Sequence, residues 1–461
     1  MQYKKSVALL VAAASIANAD SSSSTSSNST SVPSSCVVKS VATAQSDLDK
    51  FSGCEVLSGT LTLTGSLGSA ALADVKEIQG TLNISSAQNL ASFAADSLET
   101  ITGNLNLIEL TSLQTASFGS LSSVGSINFI TLPVIETINT NLQSADNVVI
   151  SDTALETISG FSKLQKVSIF NINNNKALVS IDSDMETVSN ALEINSNGDN
   201  ANITFDNLIW ANNITVRDLN GLSFASLEKV NASLGFLNNS VTSIALHNLT
   251  QVGGSLSVIA NDELTSLNLS SVTKVGGGLV IANNTKLNKI DGISNVKSIG
   301  GALVVEGNFS TLDISSLSSV MGGADVVTTG SNFSCDPLKS LEKKGDIQGD
   351  EFVCKAPQAS TSISLSAKSS SGSGSASASA SASDSDSASG SASGSASDSA
   401  SASASDSASA SESASSTKSS TSSKSTASST VNTKSKAAAF AVNAPSGSFF
   451  GALAAIGLAL L

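Results

Sequence analysis

Gly254-Ser-Leu-Ser-Val258, Gly277-Gly-Leu-Val-Ile281 and Gly301-Ala-Leu-Val-Val305 decide the fold. Each puts a small residue ahead of two apolar residues that alternate with another position. The same string stands upstream as Gly59-Thr-Leu-Thr-Leu63, Gly80-Thr-Leu-Asn-Ile84, Gly103-Asn-Leu-Asn-Leu107 and Gly125-Ser-Ile-Asn-Phe129. Weaker copies begin at Asp146, Lys166, Asn190, Asn212, Ala232 and Gly323. Successive starts lie 20 to 24 residues apart. A fixed period in the twenties is the mark of a solenoid, in which each repeat buries its apolar side against its neighbours.

Every period carries further apolar beats. One precedes the string, as in Leu249-Thr-Gln-Val252, Val272-Thr-Lys-Val275 and Val296-Lys-Ser-Ile299. Another follows it, as in Leu264-Thr-Ser-Leu267 and Leu287-Asn-Lys-Ile290. The alternation has period two and is rich in β-branched residues, which predicts short strands. No 3.6-residue stripe is sustained, and at most a short helix is expected between Cys36 and Cys54. The expectation is an all-β, parallel β-solenoid of about thirteen coils. Asparagines just past the strands (Asn173 to Asn175, Asn197, Asn238-Asn239, Asn261, Asn283-Asn284, Asn308) suit left-handed corners and an amide ladder between coils.

The ends speak of destination. Residues 1–19 read as a secretory signal peptide: Lys4 and Lys5, an apolar run, then Ala17-Asn-Ala19. Residues 437–461 read as a glycosylphosphatidylinositol (GPI) signal, with the small triplet Ala437-Ala-Ala439, a spacer and the apolar tail Phe449–Leu461. Ala437 is the expected anchor residue and Asn443 the alternative. Lys434 and Lys436 just upstream resemble a membrane-retention signal. Between these ends lie a Ser/Thr-rich arm (20–35), the solenoid (36–355) and a Ser/Ala-rich stalk (356–436), expected to be disordered and O-glycosylated.

A secretory route predicts that the four cysteines are oxidised. They allow three connectivities; the local pairs Cys36–Cys54 and Cys335–Cys354 are favoured, because they would staple the two ends of the stack. Eleven N-x-[ST] sequons predict a glycoprotein: Asn28, Asn83, Asn202, Asn213, Asn231, Asn238, Asn248, Asn268, Asn283, Asn308 and Asn332.

The rest of the composition argues by poverty. A net charge of -14 and a single arginine, Arg217, speak against nucleic acid. With one histidine and no C-x-x-C, no metal site or cofactor is implied. The acid groups Asp182/Asp184/Glu186, Asp262/Glu263 and Asp350/Glu351 are the candidates for a glycosidase pair, but read better as solvated surface acids. A nucleophile triad would have to use His247, which sits beside the Asn248 sequon. Gly253-Gly254 and Gly276 to Gly278 recur with the repeat and read as turns rather than a phosphate cradle. Trp210 is either a packing residue in an irregular repeat, the preferred reading, or a ligand anchor.

With the zones in place, several strings carry a resemblance. They are Ser34-Ser-Cys36, Ala42-Thr-Ala-Gln-Ser-Asp-Leu-Asp-Lys50, Thr115-Ala-Ser-Phe-Gly-Ser-Leu121, Asn171-Ile-Asn-Asn-Asn175, Leu208-Ile-Trp-Ala-Asn-Asn-Ile-Thr215, Ser331-Asn-Phe-Ser-Cys335 and Asp350-Glu-Phe-Val-Cys-Lys355. Together they resemble the fungal GPI-anchored cell-wall mannoproteins, whose central region is similar to receptor L-domains. The resemblance implies a role in wall organisation, integrity and morphogenesis and supplies no molecular activity; the union of anchor, stalk, sequons and catalytic poverty makes the expected role non-catalytic. Its partners would be the membrane through the GPI lipid and wall β-glucan through transfer of the anchor. The alternatives are a receptor-like binding module for a peptide or glycan, and last a wall-remodelling enzyme. The resemblance supplies no catalytic residues.

Overall fold

The structure, a computed structural model, describes residues 32–357 and 359–364. The signal peptide, most of the Ser/Thr-rich arm, Asn28, the stalk beyond residue 364, Lys434, Lys436, Ala437 and Asn443 lie outside the described residues.

The apolar pair of each string becomes two buried columns of one parallel sheet, which has 22 strands among the described residues. Leu61 pairs with Leu82, Leu82 with Leu105, and Leu105 with Ile127. The column continues through Leu256, Leu279, Leu303 and Ala324 to Phe352. The second column, two residues on, runs from Leu63 to Cys354 in the same register. Coils therefore stack in register, at the roughly 4.7–4.9 Å spacing of hydrogen-bonded strands. The result is a parallel β-solenoid of about 12 turns. The sequence expectation of about thirteen counted the strings, and a turn is the step from one string to the next.

The later beats form shorter strands on a second face. Ser69–Ala71, Ser92–Ala94, Thr115–Phe118 and Thr137–Thr140 make one parallel sheet. Ser180–Asp182, Asn202–Thr204 and Gly221–Ser223 make another. Between the faces the wider coils are filled by phenylalanines: Phe205 stacks on Phe224 with ring centroids 5.7 Å apart, and Phe93 lies 5.6 Å from Phe118.

Coil spacing explains the glycines. A Cβ on Gly276 would stand 2.0 Å from the Gly253 carbonyl oxygen, and one on Gly300 would stand 2.1 Å from that of Gly276. No side chain fits where one coil's backbone lies on the next.

Along the middle of the stack the corner after the main strand is left-handed: Asn174, Ser196, Asp218, Asn238, Ala260 and Asn283 all have φ between 52° and 58°, whereas Asn308, expected to follow them, does not have a positive φ. The residue that follows turns inward. Asn175, Asn197, Asn239, Asn261 and Asn284 are buried and form the ladder. Asn261 is typical. Its amide nitrogen donates to the Phe236 carbonyl and to Asn284 Oδ1, both at 3.1 Å, and its Oδ1 accepts the Asn239 backbone N–H at 2.9 Å. Thr153 begins the row by donating to Asn175 Oδ1 at 2.6 Å. Only these inward asparagines are rungs; Asn174, Asn238, Asn283 and Asn308 are exposed. The row breaks once, at Leu219, an apolar core residue whose N–H donates to Asn239 Oδ1.

Both ends are covered. At the start, Val37 and Ala42 bridge to Ser58 and Leu63. The helical turns Gln45–Leu48 and Asp49–Phe51 close over the first coil, and Cys36 is bonded to Cys54. Asp47 ties this cap down: its carboxylate accepts the Thr43 and Ala44 N–H groups and pairs with Lys50, which pulls its pKa down to about 2. At the far end Cys335 is bonded to Cys354. Between them lies a helix the sequence reading did not foresee, Asp336–Lys344, with Pro337 in its first turn and Gly345 as its left-handed cap. Strand Glu351–Ala356 then adds to the parallel sheet, and Ala359–Ser364 pairs antiparallel to it, beyond the boundary drawn at residue 355.

Candidate functional surface

The solenoid turns its alternate residues outward, so its surface is a set of in-register rows. On the large sheet the row between the two buried columns begins with amides. Asn128 Nδ2 donates to Asn106 Oδ1 at 2.9 Å, one coil away. Asn171 Nδ2 reaches Glu193 Oε2 at 2.8 Å across the next coil boundary. Asn173 donates to Asn171 at 2.6 Å and accepts from the Ser151 hydroxyl at 2.7 Å. Each amide commits one donor or acceptor to a neighbour and keeps others for solvent. The row is therefore rich in amide donors and acceptors, interrupted by Val149 and ending on the Glu193 carboxylate. Beyond coil eight the amides give way: the row between the columns runs Gly235, Ser257, Val280, Val304 and Asp325, and the row two residues on runs from Arg217 through Leu237, Ile259 and Ala282 to Glu306.

Sequence reading named the first of these amides only as part of the repeat. The signal was present: asparagine fills the alternate position in three successive strings, at Asn83, Asn106 and Asn128.

Among the described residues, the sequon asparagines are never buried. Asn83 and Asn268 are half-buried; the other eight are exposed. They are unevenly spread. No sequon falls between Asn83 and Asn202, the stretch that carries the amide rows. Asn213 and Asn231 flank the later half on one side, and Asn238, Asn283 and Asn308 line the corner on the other. A groove of about 620 Å³ at that corner is lined by Asn283, Glu306 and Asn308.

The candidate acids are surface groups. Asp182, Asp184, Asp262, Asp350 and Glu351 are exposed. Asp184 accepts from Asn207 at 3.3 Å, and Glu263 is ion-paired with Lys286. His247 is exposed, and its backbone carbonyl accepts the Ser271 hydroxyl. No group of three His, Cys, Asp or Glu side chains among the described residues is placed to hold a metal. No helix among them is long and apolar enough to cross a membrane. Trp210 opens a main strand between Thr187 and Lys229, half-buried and outside the core cluster.

One carboxylate is perturbed upward. Asp325 sits on the outer face of the last full coil, where desolvation, and then the nearby charge of Glu351, favour its protonated form; Lys355 opposes and Glu306 adds to the shift. One of its oxygens is buried without a hydrogen-bond partner, as is Arg217 Nε.

No protein-family model matches the chain. Curated relatives do. The chain is 49% identical to the cell wall mannoprotein PST1 of Saccharomyces cerevisiae over 320 residues, 69% of this chain and 72% of the relative. The chain belongs to this family of fungal cell-wall mannoproteins. The cell surface GPI-anchored protein ECM33 of Candida albicans is 33% identical over 228 residues, 49% of this chain and 55% of its own. The cell wall protein ecm33 of Schizosaccharomyces pombe is 33% identical over 227 residues, 47% and 53% respectively. Membership places this mannoprotein at the fungal cell surface and wall.

Proposed function

We propose that this mannoprotein is a non-catalytic organiser of the fungal wall. It is held outside the membrane by a GPI anchor at Ala437 (Asn443 in the alternative), carried on an O-glycosylated stalk (356–436) and N-glycosylated on its sequons. In this reading residues 1–19 direct secretion and are removed. The observation that carries it is the union of family membership with a rigid, repetitive body whose candidate acids stand apart on the surface. Intact cells treated with phosphatidylinositol-specific phospholipase C, or separately with β-glucanase, test the attachment. Release by the phospholipase places the chain at the membrane; release by glucanase alone places it on wall polymer. Appearance only in the medium refutes the anchor. Purified ectodomain that cleaved or transferred β-glucan or chitin oligomers would overturn the non-catalytic reading.

A second reading rests on the amide rows. Rows rich in amide donors and acceptors, with no sequon between Asn83 and Asn202, suit a hydroxyl-rich or peptide ligand. In this reading the body binds wall polymer, β-glucan being the first to try. Asn106→Arg with Asn171→Arg should then abolish co-sedimentation of the ectodomain with insoluble glucan. Unchanged co-sedimentation would remove the amide face from consideration.

A further inference from the structure

The way the sequons are built into the coils has a consequence for when they can be modified. A sequon is three residues, and transfer engages both the asparagine amide and the hydroxyl two positions on. The amide Nδ2 bonds to C1 of the sugar as the C1–O bond to a lipid diphosphate breaks. The diphosphate leaves with the electron pair, and the nitrogen gives up a proton. The segment must lie in the transferase cleft, with the middle residue free to move with its neighbours.

Here the middle residue belongs to the core. In the strands, Ile84, Ile203, Ile214 and Leu269 follow their sequon asparagines and are no more than 2% exposed. Their backbones also pair with neighbouring coils, as Asn83 does with Thr62 and Asn106. At the corners the middle residue is itself a ladder rung. Asn238 and Asn283 are left-handed, with φ of 52° and 58°, and precede the buried Asn239 and Asn284. Leu249 and Phe309 are buried behind Asn248 and Asn308. Phe333, behind Asn332, packs edge-on against Phe309 at 5.2 Å.

Asn231-Ala-Ser233 differs. It lies in the bend between strands Lys229–Val230 and Leu234–Leu237. Asn231 and Ser233 are exposed, and Ala232 is half-exposed and outside the core. The Asn231 side chain donates only to Asn212 Oδ1, at 2.8 Å on the surface. Its backbone is bonded to both neighbouring coils, the Asn231 and Ala232 N–H groups donating to the Ala211 and Asn212 carbonyls and the Ala232 carbonyl accepting from Gly254 N–H. Freeing it breaks those bonds, as at every other sequon in the stack, but withdraws no core side chain.

We propose that Asn231 is the one described sequon that still accepts a glycan after folding, whereas the other nine accept theirs only before their coils close. The proposal rests on the reading of these sequons as glycan acceptors. Its logic is that of local opening: a site reached only by extracting a core residue reacts in proportion to the open fraction, on the order of a hundredfold slower or more.

The test uses the secreted, full-length protein, made with donor synthesis partly inhibited so that it folds with many sequons bare. It is incubated with purified oligosaccharyltransferase and a lipid-diphosphate oligosaccharide, and sites are mapped by mass spectrometry. A reduced, denatured aliquot runs in parallel. Filling of Asn231 in both aliquots is expected, slower in the folded one, with Asn83, Asn213, Asn238 and Asn283 filled only in the denatured one. Filling of those four in the folded aliquot at the denatured rate would overturn the proposal, as would a folded aliquot in which Asn231 stays bare. A denatured aliquot that fills nowhere would instead remove the acceptor reading. The Ser233→Ala variant checks the assignment: in the folded aliquot it should take up no glycan.

Discussion

At the scale of single residues the solenoid rests on side chains that meet their counterparts one coil away. Asn261 joins backbone groups and two amides of the neighbouring coils at once, so Asn261→Ala leaves the buried Asn239 N–H without its acceptor. That orphan should cost about 1–3 kcal/mol, read as a lower urea midpoint at unchanged slope. Asp325 gives the opposite sign. Its pKa is raised in the fold by desolvation and by Glu351, so the folded chain holds this proton more tightly than the unfolded one. Its contribution to stability is then present at low pH and lost as pH rises through the folded pKa. Asp325→Asn should raise the melting temperature at neutral pH and leave it nearly unchanged near pH 3, where the native carboxyl is already protonated; equal shifts at both pH values would contradict this. Not all of this was legible in the sequence. Alternation marked the buried columns, because period two leaves no choice of face. The Asn238-Asn239 and Asn283-Asn284 pairs did not say which member turns inward. That is settled by backbone handedness, since the left-handed member must point out for the next to point in.

At the scale of elements, the glycine column sets the pitch. Gly276→Ala puts a methyl group against the Gly253 carbonyl and forces two coils apart. Loss of at least about 2 kcal/mol is expected, seen as reduced secretion and earlier thermal unfolding. An alanine that secretes and melts like the parent would show that the coils can shift without cost. The same elements show where sequence reading fell short. The short strands were recoverable because each repeats a dozen times, and a weak pattern becomes strong by recurrence. Helix Asp336–Lys344 occurs once. Its only buried residues, Leu338 and Leu341, are too few to register as a stripe, although Pro337 at its start and Gly345 at its end are ordinary boundary marks. The outer amide rows were hidden for another reason. Polar residues at alternate positions look like solvated surface until register brings Asn106, Asn128 and Asn171 into rows.

At the scale of the whole molecule, stability is close to one-dimensional, with each coil holding only its neighbours. Removing residues 254–276 deletes one period between two near-identical glycine steps. It should leave a folded, secreted protein one coil shorter, with the β signature in circular dichroism intact. Aggregation or loss of the cooperative transition would mean that the stack depends on more than its nearest contacts. The covered ends also decide how such a body answers a pull. Tension entering from the C-terminal side arrives at Ser364, whose partner is Glu351, the first residue of the neighbouring strand. Pulled there, the pairs separate in succession, like a zip, until the load reaches Cys354. The bond to Cys335 then carries the force past helix Asp336–Lys344 and into the last full coil. The ten residues 355–364 can release roughly 33–36 Å of slack at low force, and unravelling halts at the cystine. Were the body held through its C-terminal side, as proposed above, a wall that swells and relaxes would tug it many times over without unthreading it.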